Sequence, residues 1–347
     1  VLFIAALLGA VEVGLRVAGK GRRATSIDRL HEYSEVYGWT LRRSFTLEAD
    51  GRVITINDAG YRGRELPRRK GARKRMVVLG DSITFGIDVS DGDPYPALID
   101  AGRDDLEVAN LAVSGYGPDQ ELMRLEREGL PLKPDIVVLG ACLSNDMADA
   151  ALDTFLYDER HPKPFFAVDD GRLVLHDGHL RLSPAARLVL FLRDHWRLYN
   201  VLLPPPPRDD GRRHWLGRRK RAMKTPGLPE RVALLWRRAA DVSRDAGAAF
   251  LVLALPEAGD DPAPSTWLDH VLRSPRLGDV PVVDMAKRFR SKGFESRHLM
   301  LDAVGHLSPA GHRVTADVLE EVLVKRGLLP PRRRLATGTR PDTHRTP

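Results

Sequence analysis

The chain has 347 residues, 43% hydrophobic and 29% charged, with a net charge of +7. That length buries a full-sized core, in one domain with insertions or in two. A single cysteine, Cys142, excludes an internal disulfide and any multi-cysteine metal site. The positive charge is local: residues 208–224 carry eight Lys/Arg against two Asp, and residues 325–347 carry seven against one. Both segments read as solvated loop and frayed terminus. Contact with nucleic-acid phosphates or anionic headgroups is the other use of such stretches. No nucleic-acid module accompanies them, so that partner class ranks last.

In chain order, residues 1–24 are expected as a membrane anchor or signal-anchor remnant. Residues 1–19, "VLFIAALLGAVEVGLRVAG", are apolar except for Glu12 and Arg16, against the about 20 apolar residues of a spanning helix. The missing initiator methionine reads as a clipped start. Lys20, Arg22 and Arg23 would by themselves keep the following chain cytoplasmic. Residues 25–74 form a β-rich N-terminal extension, with a hairpin signal at Asp50-Gly51.

From Arg75 the pattern becomes α/β. Short β-branched runs at "RMVVLG", 106–113, 135–142, 248–256 and 280–286 alternate with helical patterning, which predicts a parallel sheet covered on both faces. A helix begins near Thr84 or after Asp93-Pro94, another spans Gln120 to Glu128, and a third spans 229–247. The α/β domain is placed at 75–324 with an insertion at 151–228. That insertion contains a hairpin across Asp170-Gly171 and a helix over 183–203, capped by Ser183. It reads as a cap or substrate-side element. Residues 325–347 read as a basic, disordered tail.

Ligands of parallel sheets collect beyond the carboxyl ends of the strands. Four segments fall there: Gly80-Asp81-Ser82, Ser114 to Gly117, Ser144-Asn145-Asp146, and "LDAVGHLSPAGH" with Asp302, His306 and His312. Acyl transfer needs a nucleophile, a base, a group orienting the base, and oxyanion donors. Ser82 fits the nucleophile, His306 the base and Asp302 the orienting acid. The N–H groups of Ser82 and Gly115 and the Asn145 amide fit an oxyanion hole. Asp81 and Asp146 read as supporting anchors for their loops. Each also has a plainer role: Ser82 or Asn145 as a helix cap, His306 as an idle helix-start residue. No G-x-G-x-x-G, Walker A loop, H-E-x-x-H or G-x-S-x-G occurs, so no metal or organic cofactor is implied.

These blocks resemble the SGNH/GDSL hydrolases: Gly80-Asp81-Ser82 with Gly86, then Gly115, then Asn145-Asp146, then Asp302 with His306. The resemblance implies a three-layer α/β/α, flavodoxin-like fold, a serine nucleophile with a histidine base, and an oxyanion held by Ser82, Gly115 and Asn145. Two positions depart from the family pattern. Leu143 stands where the third block has glycine, and "DAVGH" has three intervening residues instead of two. The "GW" at Gly38-Trp39 and the segment Asn57 to Gly63 look like a membrane-anchored bacterial subgroup. That likeness implies one N-terminal anchor in the cytoplasmic membrane and an extracytoplasmic catalytic domain.

The resulting expectation is a serine esterase acting on acyl or acetyl esters of lipid-like or glycan character through an acyl-enzyme. Two alternatives stand beside it. One is an O-acyltransferase using the same serine on an envelope glycan. The other is a non-catalytic envelope scaffold or glycan-binding protein.

Overall fold

In the computed structural model, residues 2–21, 29–67, 69–156, 158–204, 212–256, 266–302 and 305–332 are described. Five parallel strands make the central sheet: β1 (Lys74–Gly80), β2 (Leu106–Asn110), β3 (Ile136–Ala141), β4 (Ala249–Ala254) and β5 (Val282–Asp284). Their spatial order is β5-β4-β3-β1-β2, with Met76 beside Ile136 and Gly80 beside Gly140. This is the flavodoxin-like order, and its switch point lies between β1 and β3.

Strand residues alternate between two cores, as the two-residue side-chain period requires. Val77, Leu79, Val137, Leu139 and Val252 face one side, packed with Leu235 and Trp236 of a long helix, Leu228–Asp245. Met76, Val78, Ile136, Val138 and Leu253 face the other, against Tyr95, Phe289, Leu319 and Leu323. The fold is therefore the three-layer α/β/α arrangement expected from the sequence.

Helices follow in chain order: α1 (Leu2–Val17), α2 (Ser82–Phe85), α3 (Tyr95–Ala101), α4 (Pro118–Arg124) and α5 (Leu143–Ala150). The insertion contributes α6 (Pro184–His195), α7 (Arg197–Leu202) and α8 (Arg212–Ala222). Then come α9 (Leu228–Asp245), α10 (Thr266–Arg273), α11 (Met285–Ser291) and α12 (Pro309–Lys325). Both helix starts proposed after the first strand exist, as α2 and α3. The single helix expected over 183–203 is two, because Trp196 is extended (φ −119°, ψ 110°). The basic stretch 208–224 is helical from Arg212, not a loop, and Arg218 is buried with its guanidinium on the carbonyls of Phe155 and Leu156. Of the expected tail, residues 333–347 lie outside the described residues.

The N-terminal anchor is corrected. Helix α1 has 16 residues, about 24 Å at 1.5 Å per residue, short of a roughly 30 Å hydrocarbon core. No described helix is long and apolar enough to cross a membrane. Its two charges have work inside the protein. Glu12 accepts the N–H groups of Arg197 (3.2 Å) and Leu198 (2.9 Å) at the start of α7, and Arg16 donates to His195 O at 2.7 Å. The expected membrane contact through residues 1–19 is therefore withdrawn. With it go the membrane-anchored subgroup, the cytoplasmic-membrane location and the extracytoplasmic placement that followed from an anchor.

The N-terminal β-rich segment joins the main core through Leu30, Trp39, Leu41, Leu47 and Ile56. It forms two hairpins rather than the one read from the sequence: His31–Ser34 with Gly38–Leu41, and Phe45–Ala49 with Arg52–Ile56. The second turns at Asp50-Gly51, both at positive φ (54° and 74°), as the sequence signal requires. Arg62 N donates to Asn110 O at 3.2 Å, so this segment also covers the open edge of β2.

Candidate functional site

Strand β1 ends in Gly80, whose φ of +150° and close neighbours exclude a side chain: a Cβ there would meet Thr84 Oγ1 at 2.5 Å and Gly140 O at 2.8 Å. The chain then turns directly into α2. Asp81, not Ser82, caps that helix, accepting the N–H of Ile83 at 2.9 Å. Ser82 is left free for another partner. Its Oγ lies 2.9 Å from His306 Nε2, across 224 positions of sequence.

His306 and Asp302 sit on a small loop closed by a bridge between Met300 and Leu307. Asp302 Oδ1 accepts the N–H groups of Gly305 (3.0 Å) and His306 (3.1 Å), while Oδ2 takes the ring Nδ1–H at 2.9 Å. With the three-residue spacing of "DAVGH", the Asp302 carboxylate still reaches the His306 ring. A second acid meets the same nitrogen: Asp88 Oδ2 lies 2.8 Å from Nδ1 as an ion-pair contact. Asp88 was not among the residues singled out from the sequence. The acid-rich turn "GIDVSDGD" after the serine was the available signal, but three aspartates share it and nothing in the spacing selects one.

Burial works against a charged His306, yet the contact with Asp88 and the charges of Asp302, Asp88 and Asp81 together raise its pKa above 6.5. Asp88 is held below the usual carboxylate range, first by His306 and then by Arg52, despite partial burial. The donor atoms of Asp88, Asp302 and His306 lie within 4.8 Å of one another. That spacing suits a divalent cation as well as a proton.

The loops after β2 and β3 flank the serine because those strands neighbour β1. Gly115 has φ +82°, and a Cβ there would stand 2.5 Å from the Phe155 ring. Its loop is held by Trp39 Nε1 on Ser114 O (3.2 Å) and by Tyr116 OH on Trp39 O (2.8 Å). Asn145, in the first turn of α5, donates one amide hydrogen to Asp81 Oδ2 at 3.2 Å. Among the described residues, the backbone N–H groups of Ser82 and Gly115 donate to no protein acceptor. Leu143, at the family's glycine position, is buried and begins α5 with negative φ, so no glycine is needed there. Asp146 is buried one residue on, its N–H bonded to Cys142 O at 2.9 Å.

His312 stays out of this chemistry. It is buried, accepts Tyr95 N–H at 3.3 Å, and burial pushes its pKa down to about 3. Beneath the site lies a buried acidic group. Asp119 is paired with the fully buried Lys163 of the insertion at 3.2 Å. Burial pushes Asp149 up to about 7 and holds Glu121 well above the carboxylate range.

No family model matches the chain, and no curated protein matches it. Solved structures do. A lipase/acylhydrolase from Enterococcus faecalis is 16% identical, covering 75% of this chain and 99% of its own, with a TM-score of 0.39. An alpha/beta hydrolase from the metagenome of Lake Arreo, Spain, is 17% identical over 76% and 99% of the two chains, with a TM-score of 0.41. An acetylxylan esterase from Geobacillus stearothermophilus is 16% identical over 73% and 94%, with a TM-score of 0.40. The site stands on its own geometry.

Proposed function

We propose that the protein is a serine esterase that cleaves carboxylic esters, acyl or acetyl, through an acyl-enzyme. The observation that supports this reading best is the 2.9 Å contact of Ser82 Oγ with His306 Nε2, on a ring whose other nitrogen faces carboxylates. A serine hydroxyl bonded to an acid-oriented imidazole is the arrangement that activates a nucleophile near neutral pH.

In the first step Ser82 Oγ bonds to the ester carbonyl carbon as its proton passes to His306 Nε2. The carbonyl electron pair moves onto oxygen. The N–H groups of Ser82 and Gly115 and the unused amide hydrogen of Asn145 are the donors for that oxyanion. Collapse of the intermediate expels the alcohol, which takes the proton from Nε2. Water then repeats the sequence on the acyl-enzyme and releases the acid. Asp81 has a supporting part, capping α2 and holding the Asn145 amide, and Asp146 anchors the same turn.

Fluorophosphonate labelling, with a short-chain aryl acetate assay beside it, tests the reading. Labelling and turnover are expected in the wild type, lost in Ser82→Ala and strongly reduced in His306→Ala. A folded wild type that neither labels nor hydrolyses overturns it. Product transferred to an added sugar acceptor faster than hydrolysis would reassign the second step to acyl transfer.

A further inference from the structure

Asp88 has no place in the serine–histidine–aspartate set read from the sequence, yet the fold invests heavily in it. Its Oδ2 lies 2.8 Å from His306 Nδ1, and its Oδ1 accepts from Arg52 Nη1 at 2.6 Å. Arg52 opens the second strand of the Asp50-Gly51 hairpin. The loop carrying Asp88 is itself fixed from the same N-terminal segment. The buried Arg62 guanidinium donates to the carbonyls of Phe85 (2.5 Å), Gly86 and Val89 (2.6 Å), and lies over the Phe85 ring at 4.8 Å. Asn57 in turn shapes the bend that delivers Arg62, its Oδ1 accepting the N–H groups of Ala59 (3.1 Å) and Tyr61 (2.9 Å). Two arginines from residues 52–62, one of them delivered by the Asn57 bend, therefore converge on the loop of Asp88, and the carboxylate of that loop is aimed at His306.

We propose that Asp88 is a second positioning acid for His306, acting with Asp302 on the same ring nitrogen, and that the N-terminal β-rich segment is a working part of the active site because it holds Asp88 there. The proposal rests on the esterase reading above for its catalytic consequence. Asp302 hydrogen-bonds along the Nδ1–H and fixes the tautomer. Asp88, beside it, adds a second negative charge next to the ring when His306 carries the serine proton. Two charges set about one imidazole from separate segments hold it against rotation better than one carboxylate alone.

The groups facing His306 are Ser82 at Nε2, Asp302 and Asp88 at Nδ1, the buried Asp81 behind the serine, and His312 on α12. Facing Asp88 are His306 and Arg52, with Arg62 and its partner Asp91 close by. Of these, Asp88 is the one whose removal changes the field at Nδ1 without touching the serine or the loop of Asp302.

The test is the titration of the His306 ring by nitrogen-resolved NMR in wild type, Asp88→Asn, Asp302→Asn and Asp88→Glu. Each sample contains EDTA so that no trace divalent ion occupies the three donors. Aryl acetate kinetics against pH accompany the titrations. Asp88→Asn is expected to weaken proton binding by His306 about tenfold, as removal of an adjacent opposite charge does. It is expected to lower kcat with KM unchanged, and Asp88→Glu is expected to restore part of both. If Asp88→Asn does not fold, the Arg52→Ala/Asp88→Ala pair removes both partners and leaves no stranded charge. The same expectation applies to it. An unchanged His306 titration in a folded Asp88 variant overturns the proposal. A wild type that fails to label with fluorophosphonate overturns the esterase reading instead, and the titration still decides the place of Asp88.

Discussion

Arg52 holds one oxygen of Asp88 at 2.6 Å while the other oxygen of that carboxylate lies 2.8 Å from the ring of His306. A hairpin formed before the sheet begins is thus two contacts away from the base at the far end of the chain. The companion residue Arg62 organises the same loop through three carbonyls. Arg62→Met is expected to cost about 2–3 kcal/mol of folding stability, since a buried charged donor is lost and its acceptors are left without partners. Urea denaturation reads this directly. The variant is also expected to lose activity beyond its loss of folded protein.

The pH dependence follows from the charge on His306. On the proposed reading His306 must be neutral to take the serine proton, and its pKa is raised above 6.5. Esterase activity is therefore expected to be low at acid pH and to rise through a single step above that value, reaching a plateau on the alkaline side. Linkage has the opposite sign. The protonated form is favoured by folding, so its contribution to stability is complete below the unfolded value and fades as pH rises through the folded one. A kcat/KM profile that falls between pH 6 and 8 excludes His306 as the general base.

Asn145→Ala removes the side-chain donor that the proposed mechanism gives the oxyanion. A loss of about 100- to 1,000-fold in kcat is expected, with KM little changed. Because the same amide serves buried Asp81, the melting temperature is measured alongside, and only loss of rate in folded protein counts. A variant with near-normal kcat would leave Asn145 as a structural partner of Asp81 alone.

Lys163 brings a positive charge from the insertion into the domain core, where Asp119 receives it. Lys163→Met leaves Asp119 buried and uncompensated, at an expected cost of about 3–5 kcal/mol. Lys163→Met with Asp119→Leu is expected to recover part of that loss, because both charges are removed together. Equal destabilisation in the single and double variants would show that the pair is not coupled.

Asp149 gives a second pH handle. Burial, with Asp81 and Asp119 nearby, lifts it to about 7 although Lys163 opposes the shift. A carboxyl with a raised folded-state pKa stabilises the fold only while protonated, so stability falls as pH rises through that region. Asp149→Asn, which keeps the shape without the ionisation, is expected to be more stable than the wild type at pH 8 and to show a flatter profile.

The sheet was legible because its strands are short, β-branched and buried on both faces, a signal that local composition carries. Turns with an obligatory backbone geometry were legible too: Asp50-Gly51 and Asp170-Gly171 both appear where expected, at positive φ. Trp196 was not, since a break between two helices needs no glycine or proline, and the apolar spacing continues across it. The short anchor-like stretch misled because hydrophobicity alone does not reveal that Glu12 caps another helix. Ser82, His306 and Asp302, which the structure brings together, could be singled out because each follows a strand or sits in a recognisable block. Asp88 could not. Its partners Arg52 and His306 come from opposite ends of the sequence, and a contact of that kind leaves no periodic trace.

The contact between Ser82 and His306 closes a loop of 224 residues, and four of the five sheet strands, β2 to β5, lie inside it while β1 precedes it. On the proposed reading the nucleophile emerges from the ribosome long before its base, so a nascent chain carries an inert serine until the segment with His306 has emerged and docked. Among the described residues, Lys74 at the start of the first sheet strand also reaches Leu328 O, at 2.6 Å. Hydrolytic competence would thus be the final event of folding, and release of a chromophoric alcohol would time the completion of the whole tertiary structure.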